Sequence, residues 1–313
     1  MYQDLQIIDF HLHFPTTKPM MGEDFKRPES NLSERRRQIT REHAKAYNTD
    51  WRLAWDFPPP QQEKQSDEEL ADRWAAEVDR YGLRAVGFTT GGGNDNLAKV
   101  IQRHPDKFIG FAHHNPFEKN AADELRRAVK ELGLKAYKLL GPGLDGSIAD
   151  PALYPVWEVC AELEIPVLIH FGIMGAGGGI AWHQNINPLV LNPVARDFPD
   201  VNFVIPHFGC GWVRETLMLC WACRNVVIDT SGSNQWVRWV EFDWDLEKLF
   251  RKYMETIGPE RIVFGTDSSW FPRGFAVRYL QDQIRAARNV GMTHEQLQMV
   301  FAGNAARLFK MDL

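Results

Sequence analysis

Short apolar runs recur along the chain, each followed by a stretch whose apolar residues repeat at helical spacing. Strands are predicted at residues 5–11, 83–90, 107–114, 134–140, 165–172, 201–209, 225–232 and 261–267. Stretches such as DEELADRWAAEVDRYG, AADELRRAVKELG and DLEKLFRKYMETIG read as helices, several ending at Gly. Strands apolar on both faces that alternate with helices indicate a parallel sheet. Eight such units predict an α/β fold, a (β/α)8 TIM barrel, with a doubly wound open sheet as runner-up. A terminal helix, HEQLQMVFAGNAARLF, is expected to cap the wall. One segment breaks the rhythm: residues 15–65 hold a charged helical piece and the turn-rich DFPPPQQ. A connection this long is uncommon unless functional, so it reads as an insertion over the barrel mouth. Residues 1–313 are taken as one domain.

Composition narrows the class. The chain has 313 residues, 44% apolar and 25% charged, with a net charge of −5. Lys and Arg are scattered, which argues against a nucleic-acid partner and against a polybasic membrane patch. MYQDLQIIDF lacks the basic region of a secretory signal. Residues 166–182 are too short and glycine-rich for a membrane span. Four cysteines make no disulfide framework, and CWAC (Cys220, Cys223) sits near a helix end, where packing is the expected role. A cytoplasmic location is expected.

Ionisable residues then fall at the strand ends: His11 and His13 on strand one, His113 and His114 on strand three, and Lys138 in strand four. His170, His207, Asp229 and Asp267 end strands five to eight. Alternation along a strand puts His11 and His13 on one face and Leu12 on the other. In a barrel, all these ends open on the face where active sites lie. Each alone reads as a satisfied strand-end residue. Together, three imidazoles and a carboxylate suit Zn²⁺ or a similar divalent ion.

The pieces DFHLH, PVLIHFG, FVIPHFG, VVIDTSG and IVFGTDSSW, in that order, resemble the amidohydrolase superfamily. The branch resembled is the amidohydrolase-related one that includes aminocarboxymuconate semialdehyde decarboxylase. The resemblance implies one divalent ion, Zn²⁺ with Mn²⁺ as the alternative, held by His11, His13, His170 and Asp267. It makes His207 a catalytic residue outside the ligand set, with Asp267 sharing the proton transfers. Binuclear members of the superfamily carry a bridging lysine or glutamate on strand four. Here Lys138 is assigned a structural or substrate-anion role, and Lys135 and Lys138 both remain candidates for the inner wall. The implied reaction is non-oxidative decarboxylation of a small cyclic or unsaturated carboxylic acid. A hydrolase of a lactone, amide or similar bond is the alternative, a hydratase a third reading, and a metal-free binding barrel the reading from another class.

Substrate contacts are expected from Arg273 in WFPRGF, which would pair with a carboxylate. Trp236, Trp239, Trp270 and Phe14 could sandwich a planar ring, and His183 is a further candidate. TTGGGND forms a turn into a helix; an anion at that N-terminus is the lesser reading. The expected partners are a small carboxylate substrate and, as an open possibility, a second copy in a homodimer.

Overall fold

The computed structural model describes residues 4–22, 33–175 and 179–313. Eight parallel strands run in chain order: β1 (Ile8–His13), β2 (Ala85–Thr90), β3 (Phe108–Ala112), β4 (Ala136–Leu140), β5 (Val167–His170), β6 (Phe203–Ile205), β7 (Val226–Asp229) and β8 (Ile262–Val263). The ring closes where the segment after β8 meets β1, through Phe10 N to Phe264 O (2.9 Å), Asp267 N to His11 O (2.8 Å) and His13 N to Ser268 O (2.8 Å). Among the described residues the helices are α1 (Glu34–Ala54), α2 (Asp67–Tyr81), α3 (Asn94–Arg103), α4 (Ala121–Lys130), α5 (Tyr154–Leu163), α6 (Asn192–Asp197), α7 (Val213–Ala222), α8 (Leu246–Ile257), α9 (Val277–Asn289), α10 (His294–Gln298) and α11 (Asn304–Phe309). This is a (β/α)8 barrel.

Local chemistry sets the ends. Ser66 and Glu69 form a reciprocal capping box at the start of α2, and Gly82 ends it in the left-handed conformation that glycine adopts without strain. The strand predicted at 261–267 is regular only over Ile262–Val263, because the chain beyond reaches β1 through isolated bonds and Asp267 turns to φ +57°.

Two apolar layers follow from strand alternation. Outward residues such as Val86, Tyr137, Val167, Phe203 and Ile228 pack under the helices. Inward residues Ile8, Phe10, Ile109, Phe111, Ala136, Leu168, Val204, Val227 and Val263 fill the floor of the barrel. There α11 closes the bottom, with Phe309 stacked on Phe10 at 4.7 Å. One step further along β4, β5 and β7, the inward positions are Lys138, His170 and Asp229. Lys138 is therefore the wall residue, only 1% exposed, while Lys135 is exposed.

Strand β1 departs from simple alternation. Ile8 and Phe10 point inward, which would carry Leu12 inward too, yet Leu12 belongs to the outer layer. The pairing with β2 shifts between Asp9 and Leu12, and this irregularity turns His11 and His13 into the barrel. Buried Asp9 fixes the break, accepting from the backbone N–H groups of His11 (3.1 Å) and Thr266 (3.0 Å) and so tying β1 to the end of β8.

Candidate metal centre and active site

At the open end of the barrel, His11, His13 and Asp267 bring one ligand atom each within 4.8 Å of one another. Asp267 Oδ1 lies 3.1 Å from His13 Nε2 and 3.8 Å from His11 Nε2. Donors about 2.1 Å from a tetrahedral cation stand roughly 3.4 Å apart, so this set fits a divalent ion.

Both imidazoles are held from behind. His11 Nδ1 is 2.6 Å from Asp229 Oδ2, and Lys138 Nζ is 3.4 Å from His11 Nε2. An ammonium only donates, so Nε2 accepts, Nδ1 carries the proton and Asp229 receives it. That carboxylate–imidazole pair orients a ligand and raises its basicity. His13 Nδ1 meets Thr90 Oγ1 at 2.7 Å, leaving its Nε2 toward Asp267. Gly265 makes room for the arrangement: a Cβ there would stand 2.7 Å from Asp229 Oδ1 and 3.0 Å from His11 Cβ.

Electrostatics follow from burial. Desolvation, then the Lys138 charge, pushes His11 well below the usual imidazole range. Burial, then the His207 and Lys138 charges, lowers His170 to about 3. Burial also lowers His207 and brings Lys138 down to about 8, while pushing Asp229 up to about 7. Burial alone would raise the Asp267 carboxyl, but the His13 hydrogen bond and the charges of His13, His207 and His11 hold it well below the ordinary value. Its side chain keeps 37% of its surface open to the cavity. Metal binding takes imidazoles in the neutral form and a carboxylate in the ionised form.

His170 stands outside the three-residue group. Its Nε2 donates to Ile173 O at 3.2 Å, and its ring lies 5.2 Å from that of His207. His207 sits in a turn after β6 with φ +59°. Its Nδ1 donates to Ser231 O at 3.1 Å, so Nε2 is the free ring atom.

A cavity of about 330 Å³ opens above. His207 and Asp267 line it together with Trp236, Trp239 and Tyr47, Asn48 and Trp51 of α1. Sequence reasoning missed the α1 residues, although 47, 48 and 51 share one helical stripe, the one signal that could have found them. It saw Asp229 at a strand end but gave it no role, and nothing in the sequence marks Thr90 or Ser231. A larger cavity, about 740 Å³, lies over the β2 and β3 loops, away from this group. Part of its polar lining is paired, as in Asn94 Nδ2 to Glu124 Oε1 (2.6 Å) and Arg127 to Asp95.

Several expected contacts fall elsewhere. Phe14 is 2% exposed and packs edge-on against Phe88, a core position that cannot touch a substrate ring. His113 Nε2 accepts from Gly91 N (3.1 Å) and Gly93 N (3.0 Å), so those donors of TTGGGND are spent on the turn and leave no anion site there. Cys220 and Cys223 are free and buried in the outer core. His183 Nδ1 accepts from Asn185 N within its own loop, of which residues 176–178 lie outside the described part. Trp270 lies against Trp51 and Arg273. Trp236, 3% exposed, lines the cavity. Residues 23–32 of the 15–65 segment also lie outside the described part.

Known proteins agree with this architecture. An 80-residue stretch is 36% identical to 2-amino-3-carboxymuconate-6-semialdehyde decarboxylase of Dictyostelium discoideum, covering 25% of this chain and 22% of that one. Gamma-resorcylate decarboxylase of a Polaromonas species is 23% identical over 70% of the chain and 75% of its own length. A 2-keto-4-carboxy-3-hexenedioate hydratase of a Sphingobium species is 25% identical over 69% and 70%. In fold, the chain is similar to a manganese-bound dihydroxybenzoic acid decarboxylase from Polaromonas, with TM-score 0.63 and 18% identity, over 98% of this chain and 97% of that one. Among the described residues no helix is long and apolar enough to cross a membrane. The amidohydrolase family profile matches residues 8–311, almost the full chain, and the protein is a member of that family.

Proposed function

We propose that this chain is a metal-dependent, non-oxidative carboxy-lyase acting on a small cyclic or unsaturated carboxylic acid. The observation that carries the reading is the meeting of His11, His13 and Asp267, with Asp267 also lining, beside His207, one aromatic-walled cavity. The decarboxylases among the relatives support CO2 release over hydration or hydrolysis.

In this reading His11, His13 and Asp267 hold a single ion, Zn²⁺ by the nature of the donors with Mn²⁺ as the alternative. His170 would be the fourth residue of that set. The bound ion would act as a Lewis acid toward substrate oxygen. Lys138, at the floor beside His11, adds positive charge that favours an anionic substrate. Trp51, Trp236 and Trp239 offer faces to a planar ring, while α1 roofs the site and keeps water out. As the carbon–carboxyl bond breaks, its electron pair stays on carbon, CO2 leaves, and carbon takes up a proton. His207 Nε2 and the open side of Asp267 are the groups placed to carry that proton. A small carboxylate is the partner this chemistry needs, and a cytoplasmic location remains the reading of the sequence.

The test is product analysis. Protein loaded with Zn²⁺ or Mn²⁺ is incubated with hydroxybenzoates, pyrone carboxylates and unsaturated dicarboxylic acids, and CO2 release is measured against ring opening or hydration. CO2 from one class, lost in His207→Asn while metal content is kept, is the expected result. Ring opening without CO2 would replace the lyase with a hydrolase.

A further inference from the structure

Arg273, offered by the sequence as a carboxylate reader, has surroundings that point to other work. Its guanidinium lies 4.1 Å from the Trp270 ring centroid and 5.1 Å from that of Phe57. Nη2 donates to the backbone carbonyl of Asp267 at 2.9 Å, and Nε is buried without a partner. Asp267 holds φ +57°, where a side chain crowds its own backbone and the conformation persists only if its surroundings impose it. Its N–H is tied to His11 O, so Arg273 supplies the second anchor, on the carbonyl.

The aromatic clamp reaches the roof. Phe57 follows α1 and is tied back to it by its N–H to Arg52 O (2.8 Å). Trp51, which lines the cavity, lies 5.6 Å from both Phe57 and Trp270. A chain of contacts thus runs from α1 through the rings to Arg273 and on to the Asp267 backbone. Guanidinium suits that place, because it is flat, stacks on rings and still donates in plane; an ammonium cannot do all three.

We propose that Arg273 is a positioning residue: clamped between Phe57 and Trp270, it holds Asp267 in the left-handed conformation that faces its carboxylate toward His11 and His13, and so makes the cation site depend on a docked roof. The inference rests on the reading of those three residues as a cation site.

The test measures metal affinity rather than turnover. Metal-free full-length protein is titrated with Mn²⁺ followed by EPR, and with Zn²⁺ against a chromogenic chelator, for wild type, Arg273→Ala, Arg273→Lys and Phe57→Leu. Loss of an outer support of a metal ligand weakens binding by about 10- to 100-fold, the result expected for Arg273→Ala and Arg273→Lys. A smaller loss is expected for Phe57→Leu, and added methylguanidinium should restore part of the Arg273→Ala loss. A substrate reader would leave affinity unchanged, and simple removal of a positive charge would tighten it; either result overturns the proposal. Unchanged affinity in Phe57→Leu beside a weak Arg273→Ala overturns the link to the roof. If Arg273→Ala fails to fold, Arg273→Lys and Phe57→Leu still decide. Wild type that binds neither ion removes the cation site itself, a failure distinct from the others.

Discussion

Two helices close the two ends of this barrel, and they do it differently. At the bottom, α11 buries every residue except Arg307 and sets Phe309 against Phe10 and Phe111. At the mouth, α1 is 21 residues long and buries none, touching the rest through Trp51 and the ring cluster around Trp270. The contrast follows from what each end must do. Apolar area removed from water stabilises a permanent plug. A roof with few buried contacts has a low free energy of local opening, which a site that admits substrate requires.

The largest effect is expected at the plug. Phe309→Ala should cost about 3–5 kcal/mol in denaturant unfolding, since the ring is buried against Phe10 and Phe111. A loss under about 1 kcal/mol would mean that α11 is a surface cap like α1.

Between the two ends lies the layer of buried imidazoles, and His113 tests it away from the metal group. Burial lowers His113 to about 4, against 6.5 for the unfolded chain. Between those values the unfolded chain binds more protons, so stability is full above pH 6.5 and falls as pH drops toward 4. The contribution is about 3 kcal/mol, and His113→Gln should show that much less pH dependence across this window. Parallel pH curves for the two proteins would contradict it.

Next comes the support of His11. Asp229→Asn keeps the shape but weakens the orienting bond, so metal affinity should fall by about 10- to 100-fold. Unchanged affinity would show that Asp229 serves only to satisfy a buried ring. The smallest stability effect is expected at the roof. Trp51→Ala should change unfolding by less than about 1 kcal/mol while raising KM for the substrate. A large loss of stability would place α1 with the plug.

The strands were legible because apolar runs covered on both faces leave a plain periodic trace, and the histidines because a HxH motif cannot hide in such a run. What failed was orientation. Alternation predicts that His11 and His13 share a face, which they do, but not that a register break after Asp9 selects the inner one. What separates Lys138 from Lys135 is the inward placement of Ala136, which the sequence does not mark. Phe14 looked like a ring-binding residue because an aromatic at a strand end carries no mark of which layer it joins. The α1 contacts are hidden for a similar reason: in a polar helix with no buried residue the stripe of 47, 48 and 51 does not stand out, and the length of the insertion marks the segment without marking those residues.

Everything proposed about chemistry depends on His11, His13 and Asp267 sharing a cation, and metal content per chain is the direct measure. Elemental analysis of purified wild type and Asp267→Asn, each also dialysed against Zn²⁺ or Mn²⁺, should give a single ion per chain in the first and almost none in the second. A wild type that takes up neither ion, or an Asp267→Asn variant that keeps its full complement, would contradict the account.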